Sequence, residues 1–279
     1  MEQEKSQINI AVLMTCFNRK QQTIECIRSL LNNGTEYHYS FVITDAASTD
    51  GTSDAIRAMN EDTIILNGTS NLFWNGGMVH TLDYALKNCE HYDYVMLVND
   101  DVTFYPNMMQ PLLTRLQQTD ADVIVGATRD HQGKTSYGGV KMLSRHFARF
   151  ALQDPTEEVL ECDTFNCNCI LMGRDTFIKA GNLDPAYVHS MGDYDYGMSI
   201  HKLGLRIISS SDYVGVCDDN DNANTWRDCT LTRRERLKKK EGPKGLPRKD
   251  WYHFVRKNYG FFPAIYHSAT PYIRILLKK

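Results

Sequence analysis

The residues best placed for chemistry are acids at the abrupt ends of apolar runs. Tyr94-Val95-Met96-Leu97-Val98 leads straight into Asn99-Asp100-Asp101. A buried strand that stops at adjacent carboxylates sets them at the carboxyl edge of a parallel sheet, where open α/β folds bind ligands. Hard oxygen donors there suit Mg²⁺ or Mn²⁺, above all when phosphate oxygens complete the shell. A solvated turn or a helix cap would use the same residues. The second group is Gly192-Asp193-Tyr194-Asp195-Tyr196-Gly197. If Asp195 opens a helix, its carboxylate caps backbone N–H groups while Asp193 stays on the preceding loop and faces a cleft. A carboxylate in that position suits a general base for a positioned alcohol, provided its surroundings make it more basic. From the residues alone, capping and turn formation are the simpler account of this group.

The elements that carry these acids follow from hydrophobic periodicity. Strands are predicted at 8–14, 39–44, 63–66, 94–98, 123–127 and 164–172, and helices at 23–31, 53–59, 77–87, 106–116, 175–180 and 195–203. Short β-rich runs alternating with helices require crossover connections, hence an α/β core with a mostly parallel central sheet. After Ala127 the alternation weakens through Gly133, Gly138 and Gly139, yet the second half reads as an addition to the same sheet. The organisation is therefore a core over 1–232 and a basic, aromatic segment over 233–279 packed on it. From 233 to 249, nine Lys or Arg stand against two Glu. Gly242-Pro243 and Gly245-Leu246-Pro247 in that stretch favour an ordered loop over a long basic helix.

The chain has 279 residues, a formal charge of −3 and 42% hydrophobic residues. One catalytic-size unit is implied, and wholesale disorder and a generally basic nucleic-acid binder are excluded. Eight cysteines are too sparse for a disulfide scaffold and point to a reducing, cytoplasmic compartment. The opening Glu2, Glu4 and Lys5, with apolar residues only from Ile8, do not read as a signal peptide. No run approaches the ~20 apolar residues of a spanning helix, so any membrane contact is expected to be peripheral, at the inner face.

Five short motifs occur in order along the chain. They are Val12-Leu13-Met14-Thr15-Cys16-Phe17-Asn18-Arg19, Asp45-Ala46-Ala47-Ser48-Thr49-Asp50-Gly51-Thr52, Asn71-Leu72-Phe73-Trp74-Asn75-Gly76-Gly77-Met78, Val98-Asn99-Asp100-Asp101-Val102 and the Asp193 region. Together they resemble the family 2 glycosyltransferases, particularly the bacterial rhamnosyltransferase-like branch that builds surface polysaccharides. The resemblance spans 8–216. It implies a GT-A fold, a Rossmann-like α/β sandwich that binds a sugar nucleotide.

On this resemblance Thr15, Phe17, Asn18 and Arg19 lie beside the base or ribose, and Asp45 recognises the nucleobase. Asn75, Gly76 and Gly77 approach the nucleotide or sugar, the glycines permitting close backbone contact. Asp101 matches the last acid of the family's DxD motif and is the implied metal ligand. Asn99 takes the first position, making an NDD variant with Asn99 and Asp100 beside the donor. Asp193 matches the first Asp of the ED-containing region and is the implied catalytic base, with Gly192 where Glu is common and Asp195 as the alternative base. Trp74 and His189 are further candidates for the cleft wall. Relatives often place a His at the strand end that here reads Val214-Gly215-Val216-Cys217-Asp218-Asp219, which leaves Cys217 or Asp218 for that place.

The implied reaction is inverting transfer of a sugar from a UDP-sugar or dTDP-sugar to a hydroxyl of a glycan or lipid-linked acceptor. Asp193 would take the acceptor proton while Mn²⁺ or Mg²⁺ on Asp101 balances the departing diphosphate. A catalytically inactive sugar-nucleotide or glycan-binding protein competes with this reading, as does a nucleotidyltransferase, which lacks the ordered motifs. The basic stretch suits a phosphate-bearing acceptor or a membrane surface, with Trp251, Tyr252 and Phe254 near the interface, or simply a solvated loop. The same aromatics suit a homodimer interface. Cys162, Cys167 and Cys169 have no completing ligand in the sequence, which argues against structural zinc.

Overall fold

The structure is a computed structural model describing residues 7–60, 62–219 and 223–277. Its first half alternates strand and helix: β1 (Ile8–Cys16), α1 (Lys20–Leu31), β2 (Tyr37–Asp45), α2 (Thr52–Arg57), β3 (Ile64–Asn67), α3 (Phe73–Lys87), β4 (Tyr94–Val98), β5 (Thr103–Phe104), α4 (Met109–Gln118) and β6 (Val123–Arg129). Short strands follow as β7 (Thr135–Tyr137), β8 (Gly139–Met142), β9 (Phe150–Leu152), β10 (Thr164–Phe165) and β11 (Cys169–Gly173). The chain then forms α5 (Arg174–Ala180), α6 (Gly192–Lys202), β12 (Ile207–Val216), α7 (Arg233–Glu241), α8 (Arg248–Tyr259) and α9 (Phe261–Leu276).

The main sheet runs β3-β2-β1-β4-β11-β6-β12-β5, with β7 on β6. β1 is apolar on both faces because helices cover both. Ile10, Val12 and Met14 pack with α1 and α4, while Ala11 and Leu13 pack with α3, α5 and α6. Register pairs Cys16 with Asp45 and Asp45 with Asn67, so the parallel strands β1, β2 and β3 end at one edge. β4 joins them in parallel, Leu97 opposite Leu13. The carboxylates that follow these strands are thereby gathered along one rim.

The mostly parallel sheet also holds antiparallel strands, with β5 on β12 and β7 on β6 at its far side and β11 within it. β11 lies antiparallel between β4 and β6. Where periodicity predicts a single strand over 164–172, the chain forms two, because Asn166, Cys167 and Asn168 turn it from a small sheet ordered β10-β8-β9 into the main one.

The basic stretch also differs from the expected loop. Thr232 accepts from the Glu235 N–H at 3.3 Å, and the Glu235 carboxylate accepts from the Thr232 N–H at 2.9 Å. That reciprocal cap starts α7, Gly242 ends it, and the Gly245 N–H closes the next turn on the Gly242 carbonyl. A Cβ on Gly245 would lie 2.1 Å from the Lys239 carbonyl, which explains the residue there. Phe254, expected near an interface, is fully buried with Val255 against Tyr187 and Met198, and Trp251 stacks on it. Among the described residues no helix is long and apolar enough to cross a membrane.

Candidate active site

The loops leaving β1 and β2 are stitched together. The Asn18 N–H donates to Ser48 Oγ at 2.9 Å, the Thr49 N–H donates to Asn18 Oδ1 at 2.8 Å, and the Lys20 N–H donates to Asp50 at 3.0 Å. Asn18 adopts φ 49°, which a short polar residue tolerates. Asp45 Oδ1 accepts from the Ser48 N–H at 2.8 Å and its other oxygen accepts from the Ser53 hydroxyl. The held carboxylate borders an open cleft of about 510 Å³ that also takes in Thr52, Asn67 and Gly68. Thr15, at the end of β1, donates its hydroxyl to the Thr44 carbonyl, and Phe17 next to Asn18 is exposed.

The three residues after β4 point in three directions. Asn99 Oδ1 accepts from the Trp74 indole N–H at 2.8 Å. Asp100 is buried, accepting from Arg19 Nη1 at 3.1 Å and the Thr23 hydroxyl at 3.4 Å. Burial pushes its carboxyl up to about 6 even with Arg19 beside it. Asp101, a third exposed, accepts from Arg19 Nη1 at 2.7 Å and faces the Cys217 thiol at 3.5 Å. Burial pushes that thiol up, so it donates to Asp101 rather than acting as a thiolate ligand.

No group of three or more His, Cys, Asp or Glu able to hold a metal ion occurs among the described residues. Mg²⁺ and Mn²⁺ commonly take one or two carboxylates and complete their shell with water and substrate phosphate. Asp101 offers one hard oxygen ligand of that kind, with Oδ2 accepting from Arg19 Nη1.

The amino-terminal ends of α3 and α6 meet at Asn75 and Gly192, and α3 reaches Asn99 through Trp74. A Cβ on Gly77 would fall 2.2 Å from Thr15 Oγ1, so this glycine lets α3 sit directly on β1. Gly77→Ala is expected to destabilise the fold by about 2–3 kcal/mol, checked by urea unfolding. A Cβ on Gly192 would fall 1.8 Å from Asn75 Oδ1, which is why no larger residue precedes Asp193. Asn75 is itself fully buried and donates to the carbonyls of Asp184 and Tyr187 at 3.0 and 2.9 Å. It therefore holds the loop leading to α6, while Gly76 beside it is only half-buried. The Trp74 N–H donates to His189 Nδ1 at 3.4 Å. Burial, with Lys244 and Arg19 nearby, pushes the His189 imidazole down to about 4, leaving it neutral at pH 7.

Asp193, expected on the loop before a helix capped by Asp195, instead lies in the first turn of α6, which begins at Gly192 with no side-chain cap. Its carboxylate accepts from the Tyr194 N–H at 2.8 Å and from Asn166 Nδ2 at 3.5 Å, and burial pushes its carboxyl up to about 6. Asp195, 1% exposed, turns the opposite way and accepts from Lys257 Nζ at 2.5 Å and Asn258 Nδ2 at 3.0 Å on α8. Asp218 is exposed and paired with His131 at 2.7 Å.

Sequence reasoning passes over Asn166, Asn168 and Lys257. Asn168 donates to Cys217 Sγ at 3.4 Å, so the 166–168 turn reaches Asp193 at one end and the Cys217–Asp101–Arg19 contacts at the other. Two asparagines inside an apolar run were the available signal.

A glycosyl transferase family 2 model matches residues 11–177. Comparison with curated proteins finds no match. Among solved structures, the chain is similar to the mannosyltransferase PcManGT from Pyrobaculum calidifontis in complex with GDP-Man and Mn²⁺, at 15% identity over 98% of this chain and 74% of that one, with a TM-score of 0.58. It is also similar to S. aureus TarS 1-349, at 13% identity over 96% of this chain and 81% of that one, with a TM-score of 0.60.

Proposed function

Because this chain belongs to glycosyl transferase family 2 and, with its GT-A fold, is an enzyme that moves a sugar from a nucleotide sugar, we propose that the transfer is inverting and that Asp193 is its base. The observation that carries this reading is the contrast between two acids on one helical turn. Asp195 is turned away and paired with Lys257, whereas Asp193 faces Asn166 with its carboxyl near 6. A carboxylate of that basicity is ionised at pH 7 yet accepts a proton from an attacking alcohol more readily than an ordinary Asp. A single such carboxylate suits direct displacement at the anomeric carbon, with no covalent sugar–enzyme intermediate.

The donor's base is assigned to the cleft bordered by Asp45, where Ser48 and Ser53 fix the carboxylate orientation. Arg19, within 3.1 Å of both Asp100 and Asp101, supplies positive charge next to the place proposed for the diphosphate. Mn²⁺ or Mg²⁺ held by Asp101 would supply Lewis-acid stabilisation of the leaving diphosphate. Neutral His189 and the Trp74 indole wall the same side and help keep water from the acceptor oxygen. The finer reading is a UDP-sugar or dTDP-sugar donor and a glycan or lipid-linked acceptor of surface polysaccharide synthesis.

Calorimetric titration of UDP, dTDP and GDP with and without Mn²⁺ tests the donor site. One nucleotide is expected to bind in a metal-dependent way, and Asp101→Ala to weaken it by about tenfold or more. Failure of all three to bind the folded, metal-replete protein would sink the donor assignment. Nucleotide binding without glycosidic product from a panel of acceptors would favour a binding protein instead.

A further inference from the structure

We propose that the exposed face of α9 docks on an anionic phospholipid bilayer. The helix buries Ala264, His267, Ser268, Pro271 and Ile275 and exposes Phe262, Ile265, Tyr266, Ile273 and Leu276. With exposed Ala269, Phe262, Tyr266, Ile273 and Leu276 recur every three or four residues, and Ile265 flanks the same helix face. Phe262 alone is 81% exposed. Single exposed apolar residues are ordinary on a protein surface, but a continuous row of them marks an interaction site. The row extends onto the neighbouring loop, where exposed Phe147 sets its ring 5.9 Å from that of Tyr266, between exposed Arg145 and Arg149.

The charge around this row is mainly basic. The sequence from 251 to 279 holds no Asp or Glu and five Lys or Arg, of which Lys257 is paired with Asp184 and Asp195. α7 packs on α9 through Lys240, whose Nζ lies 4.1 Å from the Tyr272 ring centre, and exposes Arg233, Arg234 and Lys238. The acids on α7 are committed: Glu235 to the Thr232 cap, and Glu241 to Lys240 at 2.6 Å and the Tyr272 hydroxyl at 2.5 Å. An apolar helix face with basic flanks is what lies in the interface of an anionic membrane. A second copy of the chain fits this face less well. It would bring Arg274 and its neighbours against like charges with no acid on α9 to offset them. With 16 residues, α9 lies on a bilayer and does not span it. This surface does not depend on the role assigned to Asp193.

Flotation of the full chain with vesicles tests the proposal, using phosphatidylcholine with phosphatidylglycerol against phosphatidylcholine alone. The native chain is expected to float with the anionic vesicles and about tenfold less with the neutral ones or at high salt. The double variant Phe262→Ser, Ile273→Ser is expected to lose about tenfold or more of this binding, with its unfolding midpoint and nucleotide affinity unchanged. A native chain that does not float, or a double variant that floats equally well, would overturn the proposal. So would a native dimer in sedimentation that the double variant dissociates, since the face would then belong to a second copy.

Discussion

Asp193→Asn is expected to lower kcat by about a thousandfold while leaving nucleotide affinity within about twofold. The amide keeps the shape and can still face Asn166, but it cannot take a proton from the acceptor. Loss of kcat with binding retained separates a base from a residue that merely holds α6, since misplacing α6 would disturb both. The pH profile gives the sign. Burial raises the Asp193 carboxyl to about 6, so it is ionised and competent above that value and protonated below it. Turnover should therefore fall about tenfold per pH unit on the acid side of 6. Asp100 is also pushed up to about 6, but it lies buried under Arg19 and Thr23. The acid limb should persist in Asp100→Asn and disappear from the residual activity of Asp193→Asn. A persisting limb in the latter would move the base elsewhere.

Lys257→Met is expected to destabilise the fold by about 3 kcal/mol, measured by denaturant unfolding. Lys257 Nζ reaches Asp195 at 2.5 Å and Asp184 at 2.9 Å, tying α8 to α6 and to the loop before it. Removing the cation leaves the Asp195 carboxylate buried without its counter-charge, while Asn258 still donates to it. The lower end of the range for a broken buried pair applies because Lys257 is itself a third exposed. Asp195→Asn should cost less, since it keeps the Asn258 contact and Lys257 keeps Asp184. An exposed-pair result, below about 0.5 kcal/mol for Lys257→Met, would mean that α8 does not support α6 in this way.

Much of the fold is legible in the chain because burial leaves a local trace. β1, β2, β4 and β6 are each covered by helices on both faces, and each reads as an apolar run of strand length. The helices α1, α3 and α4 announce themselves by buried residues at three- and four-residue spacing. The antiparallel setting of β11 does not, since a strand buried on both faces looks alike in either direction. The capped helix α7 was obscured by its composition, a run of Lys and Arg beside Gly and Pro. The Thr232 and Glu235 pair, three apart, was its one sequence mark.

The sequence by itself determined which segments are strands and which are helices, because periodicity is set by neighbours along the chain, but it started α1, α3 and α6 three or four residues late. Asp45, Asp101 and Asp193 were singled out by the ordered motifs of the family resemblance, and the acids after β4 also by their place at a strand end. Only the tertiary structure decided where each side chain turns. Asp193 faces the 166–168 loop, and Asp195, two residues on, turns to Lys257, 62 positions away. Asn75 is drawn into the interior by carbonyls more than a hundred positions distant, and Arg19 is held across 81 positions by Asp100. A carboxylate or amide inside a protein takes the direction in which its hydrogen-bonding partners lie. Those partners are brought to it by packing of the sheet and helices, which no local pattern records.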